Sequence, residues 1–128
     1  MPSMIDVRKA LRGEQAEDLF CELYGADASS GTVSMEAQRN RYEALLSRFE
    51  RTFPECCRDV RLFSSPGRTE VCGNHTDHNG GRVLAAAVNL DAIAAASKTD
   101  DGIIIIESEG YPRDVVDLKD LSPHPEEK

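Results

Sequence analysis

The spacing of apolar residues along the chain changes once, near its middle. Leu11, Ala16, Leu19, Phe20 and Leu23 recur at helical intervals, and so do Met35, Tyr42, Leu45, Leu46, Phe49 and Phe53. Ser3 followed by Asp6 makes a capping-box pattern ahead of the first stripe, and Gly25 suits a C-terminal cap behind it, so a first helix is predicted over residues 4–24. Ser34 caps a second helix, which Pro54 stops. The intervening "ADASSG" is too small and polar to pack and reads as a loop. Narrow apolar stripes backed by ordinary solvated charge make both helices packing elements rather than sites.

Past Pro54 the period becomes two. "DVRLFSS" and "GRTEVCG" read as strand continuing past Pro66, "GIIIIESE" as a largely buried strand, and "DVVDL" as an edge strand after the Tyr111–Pro112 turn. "RVLAAAVNLDAIAAAS" is ambiguous. Its alanines favour helix, yet Val88, Leu90 and Ala92 alternate with Asn89, Asp91 and Ile93, and local pattern leaves both states open. The tail "SPHPEEK" is polar, carries two prolines and reads as a linker. Helices followed mainly by strands predict an α+β fold, with N-terminal helices on a mixed β-sheet: helical over 1–54, mainly β over 55–120, a polar tail over 121–128. At 128 residues this is one domain at most.

Charge narrows the partners. With 15 Lys plus Arg against 23 Asp plus Glu, the net charge of -8 opposes binding to nucleic acid and offers no basic patch to anionic lipid. No apolar run approaches the roughly 20 residues of a membrane span, and the N-terminal "MPSMIDVRKALRGEQ" lacks a secretory core, so a cytoplasmic protein is expected. Cys21, Cys56, Cys57 and Cys72 are then reduced thiols, and no C-x-x-C pair suggests zinc.

The candidate chemistry lies in one stretch, "PGRTEVCGNHTDHNGG", Pro66 to Gly81. It holds one Arg, one Glu, two Asn, two His, one Asp and four Gly. His75, Asp77 and His78 offer at most three donors to a metal, with no fourth ligand evident, so no metal site is expected. A long hairpin loop is the plain reading of so many Asn, Asp and Gly, and Arg68 could be a surface charge. Alternation, however, sets Arg68, Glu70 and Cys72 on one strand face at the mouth of a Gly-flanked turn. A sugar presents many hydroxyls, each both donor and acceptor, and Asn74, His75 and Asp77 form a donor and acceptor set suited to them. Arg68, always charged, could stabilise a hydroxyl oxygen as it attacks a phosphoryl group, with Glu70 beside it as a supporting group.

This stretch resembles the first signature of the galactokinases, within the GHMP small-molecule kinases: Pro-Gly-Arg, a short apolar strand, then Gly-x-His-Thr-Asp and Asn-x-Gly at the same spacing. "VLAAAVNLDAIAAAS" and "GIIIIESEG" are similar in type to the strands that follow there, and the resemblance covers residues 35–120. It implies that the alanine-rich run is strand, and that the full-length enzyme moves the γ-phosphoryl of ATP, with Mg2+, to the anomeric hydroxyl of galactose. By the same resemblance Arg68 lies near the reacting hydroxyl, and Asp77 and His75 bind sugar hydroxyls. Asn74 stands where the family usually has Glu, and Glu70 where it usually has Asn; a neutral acceptor is weaker by about 1 kcal/mol than a charged one. A kinase for another sugar, or a sugar-binding regulator without phosphoryl transfer, stays open on that account. After Gly81 the only glycines are Gly102 and Gly110, and no phosphate loop follows. The expectation is therefore an inactive N-terminal fragment of a kinase, lacking the ATP and Mg2+ sites, whose exposed sheet edge invites dimer formation.

Overall fold

A computed structural model describes residues 2–25, 34–73 and 76–122, and of Asp77 the backbone alone. The elements are α1 (Met4–Ala10), α2 (Glu14–Tyr24), α3 (Met35–Thr52), a 3-10 turn at Pro54–Cys56, β1 (Arg61–Cys72), a 3-10 turn at Thr76–Asn79, β2 (Leu84–Ala96), β3 (Ile103–Ile106) and β4 (Asp114–Asp117). The order of helices followed by strands, in two compact units covering Met1–Ser97 and Lys98–Lys128, is an α+β fold.

The capping signals act as read. The Ser3 hydroxyl accepts from Asp6 N at 3.3 Å while Asp6 Oδ2 accepts from Ser3 N at 2.8 Å, closing the capping box of α1. Ser34 caps α3 through Ala37 N, and Gly25 ends α2 in the left-handed conformation. The single helix expected over 4–24 is nevertheless two. Arg12 N and Gly13 N close a turn on Lys9 O and Ala10 O, and Gly13 adopts an extended conformation to start α2. A glycine inside a helix costs about 1 kcal/mol relative to alanine, and the break lets Leu11 and Phe20 enter one core from separate helices.

That core consists of Met4, Leu11, Phe20, Tyr24, Tyr42, Leu46 and Val60, with Leu46 and Val60 fully inaccessible. Phe20 stacks on Tyr42 with centroids 5.4 Å apart. Arg8 ties α1 to α3, donating to Glu43 and, at 3.2 Å, to Glu50. Leu62 of β1 with Ile93 and Ala95 of β2 packs against the core from the sheet side, whereas Phe63 and Leu90 are 53% and 76% exposed.

β1 and β2 form an antiparallel pair from Arg61↔Ala96 to Cys72↔Leu84. The alanine-rich run is thus strand: of its alanines only Ala95 packs against the core, and pairing with β1 along its length overrides alanine's helix preference. β3 and β4 form a second antiparallel pair, so the described residues contain two antiparallel pairs where a mixed sheet is expected. Ile103, Ile104, Ile105 and Ile106 are 38% to 48% exposed rather than largely buried. Among the described residues of its own unit this two-stranded ribbon has no second layer to cover it. The four cysteines are free thiols. Among the described residues no helix is long and apolar enough to cross a membrane.

Candidate functional site

Pro66 lies inside β1, and the ladder changes there. Pairing runs evenly from Arg61↔Ala96 to Pro66↔Asp91 and resumes at Arg68↔Ala87, so that Val88, Asn89 and Leu90 face Gly67 alone. This is a β-bulge, a device that re-aims the side chains beyond it. Gly67 suits its apex: a Cβ there would stand 3.0 Å from Leu90 O and 3.1 Å from Val88 Cγ2, so that its neighbours would have to shift by a few tenths of an ångström.

Beyond the bulge, Arg68↔Ala87, Thr69↔Ala86 and Glu70↔Ala85 pair regularly. Arg68 and Glu70 therefore share a face, opposite alanines that leave room beside them. A second irregularity between Glu70 and Cys72 interrupts the alternation before it reaches Cys72. Arg68 and Glu70 are both exposed and make no ion pair with each other or with another described residue. Residues two apart on a strand stand roughly 6–7 Å apart on one face, and both side chains are exposed to solvent.

The loop joining β1 to β2 is closed at its ends. Gly73, at φ 112°, accepts from Thr76 N through its carbonyl at 2.8 Å, and a Cβ on Gly73 would lie 2.8 Å from Arg82 O and from Val83 Cα. Thr76 O accepts from Gly81 N at 2.8 Å, and Thr76 Oγ1 donates to Arg82 O at 3.2 Å. A Cβ on Gly81 would meet Thr76 at 2.8 Å. Asp77 lies in the 3-10 turn Thr76–Asn79 between these ties. Asn74 and His75 lie outside the described residues, as does the side chain of Asp77. Among the described residues no cluster of His, Cys, Asp or Glu could hold a metal ion.

Sequence reasoning passed over the group on the other side of the bulge. The Asp91 side chain is 3% exposed and accepts from Ser64 Oγ at 2.6 Å, Tyr24 OH at 2.7 Å and Arg41 Nη1 at 2.5 Å. Arg41 Nη2 also donates to Asp91 O at 2.7 Å, and Tyr24 OH meets Tyr42 OH at 2.9 Å. Burial would raise the Asp91 carboxyl, but the hydrogen bonds from Ser64, Tyr24 and Arg41, with the guanidinium charge, hold it below the ordinary carboxylate value. Burial first, then the bonds to Tyr42 and Asp91, pushes the Tyr24 phenol well above its usual value. One signal was available in the sequence. Asp91 is the lone charge in "LAAAVNLDAIAAA", and a charge in an apolar run must find partners or remain solvated.

The family comparison falls on this same region. Residues 47–98 match the galactokinase galactose-binding signature. The chain is 41% identical over 64 residues to a galactokinase of Streptomyces coelicolor, a stretch covering 48% of this chain and 16% of that protein. Against a galactokinase of Lactobacillus helveticus the identity is 38% over 76 residues, 59% of this chain and 19% of that one. Against a galactokinase of Streptococcus mutans it is 47% over 49 residues, 38% and 13% of the respective chains. No solved structure matches. The chain spans about a fifth or less of the length of these relatives. The bulged strand and the tied loop thus lie within the stretch, residues 47–98, that is similar to the galactose-binding signature of the galactokinases.

Proposed function

We propose that this chain supplies the sugar-binding corner of an enzyme that transfers the γ-phosphoryl of ATP to the anomeric hydroxyl of galactose, giving galactose 1-phosphate. The observation that carries the reading is the coincidence of the galactose-binding signature at 47–98 with a loop tied at both ends by glycines that admit no Cβ. In this reading Asn74, His75 and Asp77 hold sugar hydroxyls by donating and accepting along fixed directions. Arg68 stands by the reacting hydroxyl and stabilises its oxygen as negative charge develops. Glu70, on the same face, adjusts the field around the guanidinium through solvent.

ATP and Mg2+ would supply the phosphoryl group and the neutralisation of its charge. The described residues do not fit them. A phosphate cradle needs backbone N–H groups gathered at a helix N-terminus or in a Gly-rich loop, and Gly102 and Gly110 belong to a unit whose regular elements are two strands. Nucleotide binding in this reading falls to sequence other than the described residues.

Asn74 in place of the family's usual Glu favours a second reading, a kinase of this type for a different sugar. The experiment is a coupled ADP-release assay of the full-length protein with galactose, glucose and other monosaccharides. Galactose-dependent release establishes the first reading, release with another sugar only establishes the second, and binding without release identifies a sugar-binding regulator.

A further inference from the structure

The bulge, whose extra residues Val88 to Leu90 lie on β2, begins one residue past the pair Pro66↔Asp91, and the most heavily bonded carboxylate in the described structure sits at that pair. Its four bonds come from three elements. Ser64 Oγ reaches it from β1, two residues ahead of Pro66; Tyr24 OH reaches it from α2; the Arg41 guanidinium grips both Oδ1 and the main-chain oxygen from α3. The Asp91 carbonyl accepts from Arg41 Nη2, and Pro66, opposite in the ladder, has no N–H to donate.

This arrangement is more costly than packing requires. Replacing a buried ion pair by apolar residues of similar volume is often neutral or stabilising, so a buried carboxylate is weak evidence of a stability device. Its attested use is to fix register. Register is what this region must fix: pairing slips by two residues across the bulge, and the alanine-rich β2 offers near-identical side chains at neighbouring positions. A ladder of alanines specifies its own register poorly.

We propose that Asp91 is a positioning residue for the sugar-binding corner. Held by Ser64, Tyr24 and Arg41, it pins the ladder on the near side of the bulge, so that Arg68 falls opposite Ala87 and faces the loop. The inference rests on the galactokinase reading for the meaning of Arg68, whereas the pinning of register stands on geometry alone.

Two measurements separate these. In the 128-residue chain, nuclear Overhauser contacts across Arg68↔Ala87 and Thr69↔Ala86 report the register. Asp91→Asn, and the milder Ser64→Ala should the former not fold, are expected to weaken both contacts at least about threefold, while Ser64→Thr, which keeps the hydroxyl, retains them. In the full-length protein, Ser64→Ala should lower kcat about tenfold with KM for ATP unchanged, and Ser64→Thr should recover it. Contacts unchanged in the Ser64→Ala chain overturn the inference, as does lost register with kcat intact or lost kcat with register intact. A wild-type protein with no galactose-dependent ADP release overturns the kinase reading alone, and the register measurement still decides the role of Asp91.

Discussion

Asp91 and the glycines show how much one residue can decide in a small domain. Because the Asp91 carboxyl titrates below its ordinary 3.8 in the folded protein, its stabilising contribution is complete above that value and is lost as pH falls through the lower folded value. Tyr24 works in the opposite direction: its phenol is raised above 10.0, so its contribution is complete below pH 10 and is lost as the solution becomes more alkaline. Stability against pH should therefore fall at both ends. Asp91→Asn should cost about 1–3 kcal/mol at neutral pH and flatten the acid limb, and Tyr24→Phe should flatten the alkaline limb; urea unfolding between pH 3 and 11 checks both. Gly73 gives a different kind of prediction. At φ 112° with main-chain atoms 2.8 Å from any Cβ, Gly73→Ala should displace the loop and abolish galactose binding by the full-length protein, read by calorimetry, because backbone rather than a flexible side chain blocks the methyl. Arg68, Asn74, His75 and Asp77 stand out in the sequence as a polar set because residue types and spacing are sequence properties. The role of Asp91 was not, since its partners come from positions 24, 41 and 64.

At the scale of elements, caps and stops were readable because they act within four residues. Ser3, Gly25, Ser34 and Pro54 all mark boundaries as their local chemistry requires. The break at Gly13 and the exposure of β3 were not readable, since a stripe does not say whether one helix or two carries it, nor an apolar run whether anything covers it. The helices hold the sheet through few residues. Leu46 is fully buried at the centre of α3, and Leu46→Ala should cost about 2–5 kcal/mol by cavity formation, enough to unfold much of a marginal domain. Chemical denaturation monitored by circular dichroism gives the value. Ser34→Ala should cost about 1 kcal/mol by removing one cap, and the contrast between the two tests whether packing or capping dominates α3.

For the whole molecule the expected outcome concerns the 128-residue chain by itself. Phosphoryl transfer depends on positioning and charge neutralisation of the nucleotide, and the described residues offer no cradle for it, so no galactose-dependent ADP release is expected from this chain. Galactose should bind with a dissociation constant in the millimolar range or weaker, on the order of 4 kcal/mol, because one wall leaves much of a sugar hydrated. Turnover by this chain would refute that account. Exposed Phe63 and Leu90 on the sheet, and Ile103 to Ile106 in the second unit, present apolar surface to solvent, and sedimentation at rising concentration should reveal self-association.

Sequence by itself determined the capped outer ends of the helical region, the strand character after Pro54, and which polar residue types gather between Pro66 and Gly81. Each rests on period, on local hydrogen bonding, or on the backbone freedom of glycine and the fixed angle of proline, and these act between near neighbours. Local pattern left the alanine-rich run open and the family resemblance implied strand; tertiary structure alone decided that pairing slips at Gly67, and that one carboxylate joins two helices to two strands at that slip. The physical reason is range: alanine carries too little side chain to choose a state or a register, so residues tens of positions away choose for it through packing and through the hydrogen bonds of a buried charge.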